Sequence, residues 1–192
     1  GRDGYTIQLK DYDACYYRKD LIGYHGNLYK SQRAARTYFL KNYVFKYRPF
    51  QSADGDACRD LFACWQSRQK ADSVDDIAQQ MLSDNLRVHQ RAFTDYALMG
   101  LVGRVVEVDG KVAGYTFGHR ISGRMFCVAL EVADHEVKGI SEFLFQEFCA
   151  DEAVESYKFI NVMDSFALPR VRQTKMFYHP ALLSANYTVT RD

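Results

Sequence analysis

Glu131 and Asp134 close one run of strand-like residues, and Asp164 closes another. Carboxylates at strand ends can orient an ammonium group or accept a proton, and they can equally be solvated or paired with cations. Arg172 and Lys175 lie three apart in a stretch of helical spacing, so both face one side. There they can hold a phosphate or pair with Asp164. A second set of cations lies near the start of the chain, where Lys30, Arg33 and Arg36 are interleaved with Tyr29, Tyr38 and Tyr43. Cations mixed with stacking rings suit RNA, and the same pattern suits an amphipathic connector packed on another domain. His89 lies on an apolar helical stripe and reads as a core histidine. The five cysteines include no Cys-x-x-Cys pair and sit in apolar patterns, as reduced thiols of a core do. No metal site is expected.

The elements that must position these groups follow from periodicity. Gly23-Tyr24-His25-Gly26 marks a turn, and Ser31 can cap a helix that reaches Asn42 with Ala35, Tyr38 and Phe39 at helical spacing. Val44–Phe50 alternates apolar with basic residues and stops as a half-buried strand would, the first of the domain. Cys58, Leu61, Phe62 and Trp65 form a buried helical stripe after a cap at Asp54 or Asp56. His89, Ala92, Phe93 and Tyr96 form another after a cap at Asp84. Asp109-Gly110 is a hairpin signal between Arg104–Val108 and Lys111–Phe117, and Ser122-Gly123 turns into a third strand, Arg124–Val132. A helix with Ile140, Phe143, Leu144 and Phe148 on one face follows. After it come a buried strand, Lys158–Asp164, a short helix from Leu168 to Phe177, and a last strand, Leu183–Thr190. This order makes a mixed α/β (α+β) sheet with flanking helices, not a doubly wound one.

The net charge of +1 conceals an asymmetry. Residues 1–48 carry ten Lys/Arg against four Asp/Glu, leaving 25 − 10 = 15 against 24 − 4 = 20 for the remainder. A basic segment on a mildly acidic body fits contact with phosphates or an acidic surface, or a solvated helix face. The organisation expected is a basic leading segment with a helix over 1–41 and one domain over 42–192. No apolar run approaches the roughly 20 residues of a membrane helix, and the first residues lack the apolar segment of a signal peptide. The chain therefore reads as a cytoplasmic protein without stable membrane insertion, and, starting at Gly1 without an initiating methionine, as a fragment of a longer one.

Phe159-Ile160-Asn161-Val162-Met163-Asp164, running into Leu168-Pro169-Arg170-Val171-Arg172-Gln173-Thr174-Lys175 and Tyr178-His179-Pro180, resembles the signature of the phosphatidylglycerol lysyltransferase C-terminal-like family. The resemblance extends through Gly114–Gly118, Glu131–Asp134, Lys138-Gly139 and Lys30–Arg33. It implies a GNAT acyltransferase fold, found in this family as one half of a tandem pair, so that a missing N-terminal half is the expected partner. It also implies transfer of an acyl or aminoacyl group, with aminoacyl-tRNA or acyl-CoA as the possible donor and no cofactor assured.

In that frame Glu131, Asp134 and Asp164 meet where a GNAT sheet splays apart, and Tyr178 stands where many such enzymes keep a general-acid tyrosine. Lys138 and Gly139 occupy the place of the coenzyme A pyrophosphate loop. A single glycine among ionisable residues makes a poor loop of that kind and favours an aminoacyl-tRNA or another donor. Soluble relatives often carry Asp-Asp-Ser-Gly before Leu-Pro, whereas this chain carries Asp164-Ser165-Phe166-Ala167. That departure keeps a second reading in play, a non-catalytic module on the GNAT scaffold that binds RNA, a nucleotide or a protein partner.

Overall fold

The computed structural model describes the backbone of residues 4–72, 76–163 and 169–191, and the side chains within those ranges outside 69–84 and 169–170. Seven strands form one sheet, and six α-helices flank it among the described residues. The chain opens on β1 (Tyr5–Tyr17), α1 (Arg18–Gly23) and α2 (Lys30–Asn42), followed by β2 (Phe45–Pro49), α3 (Gly55–Asp72) and α4 (Asp76–Asp95). A meander of β3 (Val102–Val108), β4 (Lys111–Arg120) and β5 (Met125–Ala133) leads to α5 (Ile140–Ala150), β6 (Phe159–Val162), α6 (Pro169–Phe177) and β7 (Leu182–Arg191). The helix expected to start at Asp84 starts earlier, so Asp84 lies inside α4 and caps nothing.

The strand order is β2-β3-β4-β5-β6-β1-β7. Every pairing is antiparallel except β5 with β6, which run parallel from Met125↔Phe159 to Val128↔Val162. Beyond Val128, β5 continues to Ala133 and, among the described residues, pairs there with β4 alone. From β2 onward this is the GNAT-like mixed sheet expected from the sequence.

The division at residue 42 is corrected by the topology. β1 lies between β6 and β7 in the same sheet, so residues 1–41 include an integral strand of the domain and not only a leading segment. Its outer half pairs with β7 as an exposed ribbon whose Ile7 and Leu9 lie opposite Val189 and Tyr187. Its inner half, Ala14, Cys15 and Tyr16, is buried on both faces. Among the described residues no helix is long and apolar enough to cross a membrane. Four of the five free cysteines are buried, as expected of core thiols, but Cys64 is exposed.

Packing divides by face. On one side α3 and α4 bring Phe62, Ala92 and Phe93 onto Val105, Tyr115, Phe117 and Val132. His89 is part of this layer, with Nδ1 2.8 Å from the Tyr115 hydroxyl, and burial pulls its pKa down to about 4. It is a neutral core histidine, as its stripe implied. On the other side α5 packs Phe145 and Phe148 on Phe126, Val128 and Ile160. A buried ion pair fastens the end of α5 to β3: Arg104 donates to both Asp151 oxygens at 2.6 and 2.7 Å, and the Tyr47 hydroxyl adds a third bond at 3.0 Å. The bidentate geometry and the extra donor satisfy a carboxylate that is only 6% exposed.

Helix α2 is held against α5 by backbone proximity. Gly139, at the N-cap of α5, has φ +84, and a Cβ built there would stand 2.1 Å from the Ala35 carbonyl oxygen. Gly139→Ala is therefore expected to destabilise the domain by about 2 kcal/mol or more, combining left-handed strain with a backbone clash. Urea unfolding monitored by circular dichroism checks this; an unchanged midpoint would show that α2 can lift away without cost.

Candidate active site

The opening between β5 and β6 acquires its chemistry from a one-residue irregularity. Phe117 pairs with Leu130 but Gly118 pairs with Val128, so Ala129 is an extra residue in β5. Side chains alternate along a strand, and an added residue inverts which of them face a given side. Before the bulge Phe126 and Val128 face α5. After it Leu130 and Val132 turn to α3 and α4, and Glu131 and Ala133 take the α5 side.

Glu131 is thus placed on a largely apolar face. Its Oε2 is buried and has no hydrogen-bond partner among the described residues. Burial, reinforced by the charge of Glu142 on α5, pushes its pKa up from 4.5 to about 8. A carboxyl group with that value is poised to exchange a proton near neutral pH. The field of Glu131 also reaches Tyr24, Tyr178 and Cys149, which places these groups around it.

The tyrosines form the other wall. Tyr24 stacks on Tyr29 with ring centres 5.4 Å apart, and Tyr178 lies 6.0 Å from Tyr24 and 4.9 Å from Phe145. Burial holds the Tyr24 and Tyr178 phenols well above their ordinary range, so both are protonated hydroxyls. Tyr24 adopts φ 44, a left-handed conformation unfavourable for a bulky residue, at the end of α1. Arg33 donates to the Tyr24 carbonyl and, at 2.6 Å, to that of Gly26, fixing the turn. Strain held in place by a neighbouring guanidinium is a feature of sites that need a side chain in a set position. The hydroxyl of Tyr29 donates to the Tyr178 carbonyl at 3.1 Å, and the Gln32 amide to the Phe177 carbonyl at 2.8 Å. Helix α2 therefore anchors the segment that carries Tyr178.

Glu131 and Tyr178 lie within electrostatic reach of each other, whereas Asp134 and Lys175 turn to other partners. Asp134 turns towards α3: its Oδ1 accepts from the Glu136 amide at 3.0 Å and lies 3.9 Å from Arg68. Asp164 lies outside the described residues. Lys175 is 7% exposed, and its ammonium donates to the Met163 carbonyl at 2.5 Å and the Val162 carbonyl at 3.5 Å. Its neighbour Arg172 is exposed, so the two do not present a paired clamp. Lys175 instead secures the end of β6.

At the expected pyrophosphate loop the amides have protein partners. Glu136 donates to Asp134, Val137 to the Asp134 carbonyl at 3.1 Å, and Lys138 to the Tyr43 hydroxyl at 3.2 Å. The Lys138 ammonium lies 4.6 Å from the Tyr38 ring centre, and Gly139 is covered by Ala35. The set proposed for RNA is likewise drawn inward: Arg33 holds the Tyr24 turn, Arg36 pairs with Glu147 at 3.4 Å, and only Lys30 is fully exposed. These arginines tie α2 to the domain, the use that an amphipathic connector makes of them.

Tyr24 and Glu142 join the site without having been singled out in the sequence, and Tyr29, noted there among the rings interleaved with cations, stacks on Tyr24. The signal available for Tyr24 was its place in Gly23-Tyr24-His25-Gly26, a turn that demands unusual backbone angles.

The sequence matches the family described as phosphatidylglycerol lysyltransferase, C-terminal, over residues 2–190. Among solved structures, a conserved protein of unknown function from Bacteroides thetaiotaomicron is similar at 25% identity and TM-score 0.83, with 99% of this chain and 62% of that one covered. L-PGS from Bacillus licheniformis shares the fold at 15% identity and TM-score 0.64, covering 98% and 62%. The C-terminal domain of a putative lysylphosphatidylglycerol synthetase from Agrobacterium fabrum does so at 11% identity and TM-score 0.62, covering 98% and 61%. The chain thus spans about three-fifths of each of these structures. No curated protein matches the sequence.

The buried carboxyl group makes a prediction that does not depend on activity. Unfolded, Glu131 ionises near 4.5; folded, near 8. The folded state holds the extra proton between those values, so its stability falls as pH rises through that window and levels off above it. Glu131→Gln is expected to be the more stable protein above about pH 8, by on the order of a few kcal/mol, and to lose that advantage below about pH 4. Urea unfolding at the two extremes measures it, and a difference independent of pH would mean that Glu131 is not buried as a carboxylic acid.

Proposed function

The chain belongs to the phosphatidylglycerol lysyltransferase C-terminal family, and on that premise we propose that it transfers an acyl or aminoacyl group to an amine or hydroxyl in the opening between β5 and β6. The observation that carries this reading is the buried Glu131 carboxyl group, whose Oε2 has no hydrogen-bond partner among the described residues, within electrostatic reach of the protonated Tyr178 hydroxyl. In the reaction, the nucleophile's nitrogen or oxygen attacks the carbonyl carbon of the activated ester. As the new bond forms, Glu131 takes the nucleophile's proton. The ester carbon–oxygen bond then breaks, and Tyr178 gives its proton to the leaving oxygen; return of the proton from Glu131 to the phenolate restores both groups. Apolar walls and the Tyr24–Tyr29 stack exclude water that would hydrolyse the ester.

Aminoacyl-tRNA is the donor this arrangement favours over acyl-CoA. The amides of residues 136–138 are engaged by Asp134 and Tyr43, and helix α2 covers Gly139, so a pyrophosphate at this loop would have to displace both. A carboxyl pair formed by Glu131 and Glu142 suits the ammonium group of an aminoacyl ester. The remaining part of the longer relatives is proposed as the partner half against which this domain works, in a cytoplasmic setting compatible with free thiols.

The test is consumption of aminoacyl-tRNA, with acetyl-CoA in parallel, by the full chain. Glu131→Gln is expected to lower kcat by 10²–10⁴-fold. The wild-type rate should rise with pH and reach a plateau above about 8. An active Glu131→Gln protein would remove Glu131 from the reaction, and turnover of acetyl-CoA alone would reassign the donor. A folded chain that turns over neither donor would leave a binding module on an acyltransferase scaffold.

A further inference from the structure

The opposite end of the same strands carries a cluster that the transfer site does not use. Tyr17, the last residue of β1, pairs with Phe159, the first of β6, and their rings lie 5.2 Å apart, tilted by 32°. Three cations surround the rings. The Lys19 and Lys158 ammonium groups are 5.6 and 5.8 Å from the Tyr17 centre, while Lys158 and the Arg124 guanidinium are 5.4 and 6.0 Å from that of Phe159. Tyr17, Arg18, Lys19, Tyr157 and Lys158 line an open cleft of about 350 Å³, within the range of small-ligand sites.

The charges in this cleft are not consumed by the fold. Arg18 is, since its Nε donates to the Cys149 carbonyl at 2.8 Å and so completes the C-terminal end of α5. Lys19, Arg124 and Lys158 are all exposed, and among the described residues none of them has a carboxylate at salt-bridge distance. The backbone holds them together: Lys158 and Phe159 both donate to the Arg124 carbonyl at 3.0 Å, and Arg18 donates to that of Lys158 at 3.0 Å. Lys19 and Lys158 line the cleft and Arg124 stands at its margin beside Phe159; cations without a carboxylate at salt-bridge distance attract a polyanion, and Tyr17, 37% exposed, offers a face for a planar ring.

We propose that this cleft binds a nucleotide unit, its base against Tyr17 and its phosphate among Lys19, Arg124 and Lys158, presented either by single-stranded RNA or as a free nucleotide. Stacking platforms combined with a basic groove are how single strands are held without sequence preference. An anionic membrane surface fits less well, because the rings lie within a cleft instead of projecting from it. The site is separated from the Glu131 opening by the length of the β5–β6 pairing, and the proposal stands whether or not the transfer reaction does.

The experiment is fluorescence anisotropy of a labelled short oligoribonucleotide with the full chain, with AMP, inorganic phosphate and phosphatidylglycerol vesicles as competitors. Binding is expected to weaken as salt rises. The double substitution Lys19→Ala/Lys158→Ala should weaken it by about tenfold or more, and Tyr17→Leu by about five-fold or more. Both variants should keep the wild-type circular dichroism, since these side chains are exposed. Competition by AMP at concentrations comparable to the oligonucleotide assigns a free nucleotide, and much weaker competition assigns RNA; either supports a nucleotide unit. Inorganic phosphate competing as well as AMP, vesicles displacing the RNA while Tyr17→Leu binds normally, or no binding at all would overturn the proposal.

Discussion

The extra residue at Ala129 governs the chemistry of this domain. Without it, β5 would keep one alternation throughout, Leu130 and Val132 would continue the apolar face against α5, and Glu131 would point to α3 and α4. With it, a carboxyl group enters a layer otherwise built from Phe126, Val128 and Ile160. The bulge falls just past Val128, the last residue of β5 that pairs with β6 among the described residues, and it bends the strand so that Glu131 faces α5.

The walls around that space come from distant parts of the chain. Tyr24 is supplied by the turn after α1, Glu142 by α5, and Tyr178 by the segment after α6, and α2 holds the first and the last through Arg33, Tyr29 and Gln32. Helix α2 therefore acts as a brace. Its arginines look like ligand-binding residues in sequence because a brace also needs long, multidentate donors, here spent on turn carbonyls by Arg33 and on Glu147 by Arg36.

The helices with 3.6-residue stripes were legible in the sequence because each has one buried face and one wet one, and the strands of the meander because turn signals such as Asp109-Gly110 bound their apolar runs. The strand β1 was not. Its inner part is buried on both faces, its outer part is wet on both, and Lys10 interrupts the register between Leu9 and Asp11, so no period survives along its length. Glu131 and Tyr178 were legible as candidates, whereas the reason they meet was not, since a bulge at an alanine leaves no mark in composition. Asp134 and Lys175 were read as site residues on the strength of position and type. The competing structural uses of each, an Arg68 contact and two β6 carbonyls, depend on tertiary neighbours that spacing cannot reveal.

The place of β1 has a kinetic consequence. Its partners are residues 159–162 and 182–191, so contacts such as Tyr5↔Arg191 and Cys15↔Asn161 close loops almost as long as the chain itself. Loop closure on that scale is slow, whereas the β3–β5 hairpins are local and form early. Even with the meander formed, Ala14, Cys15 and Tyr16 stay exposed to solvent until β6 and β7 pair with β1. The turn that carries Tyr24 follows β1 and α1, so this wall of the candidate site assembles after the meander.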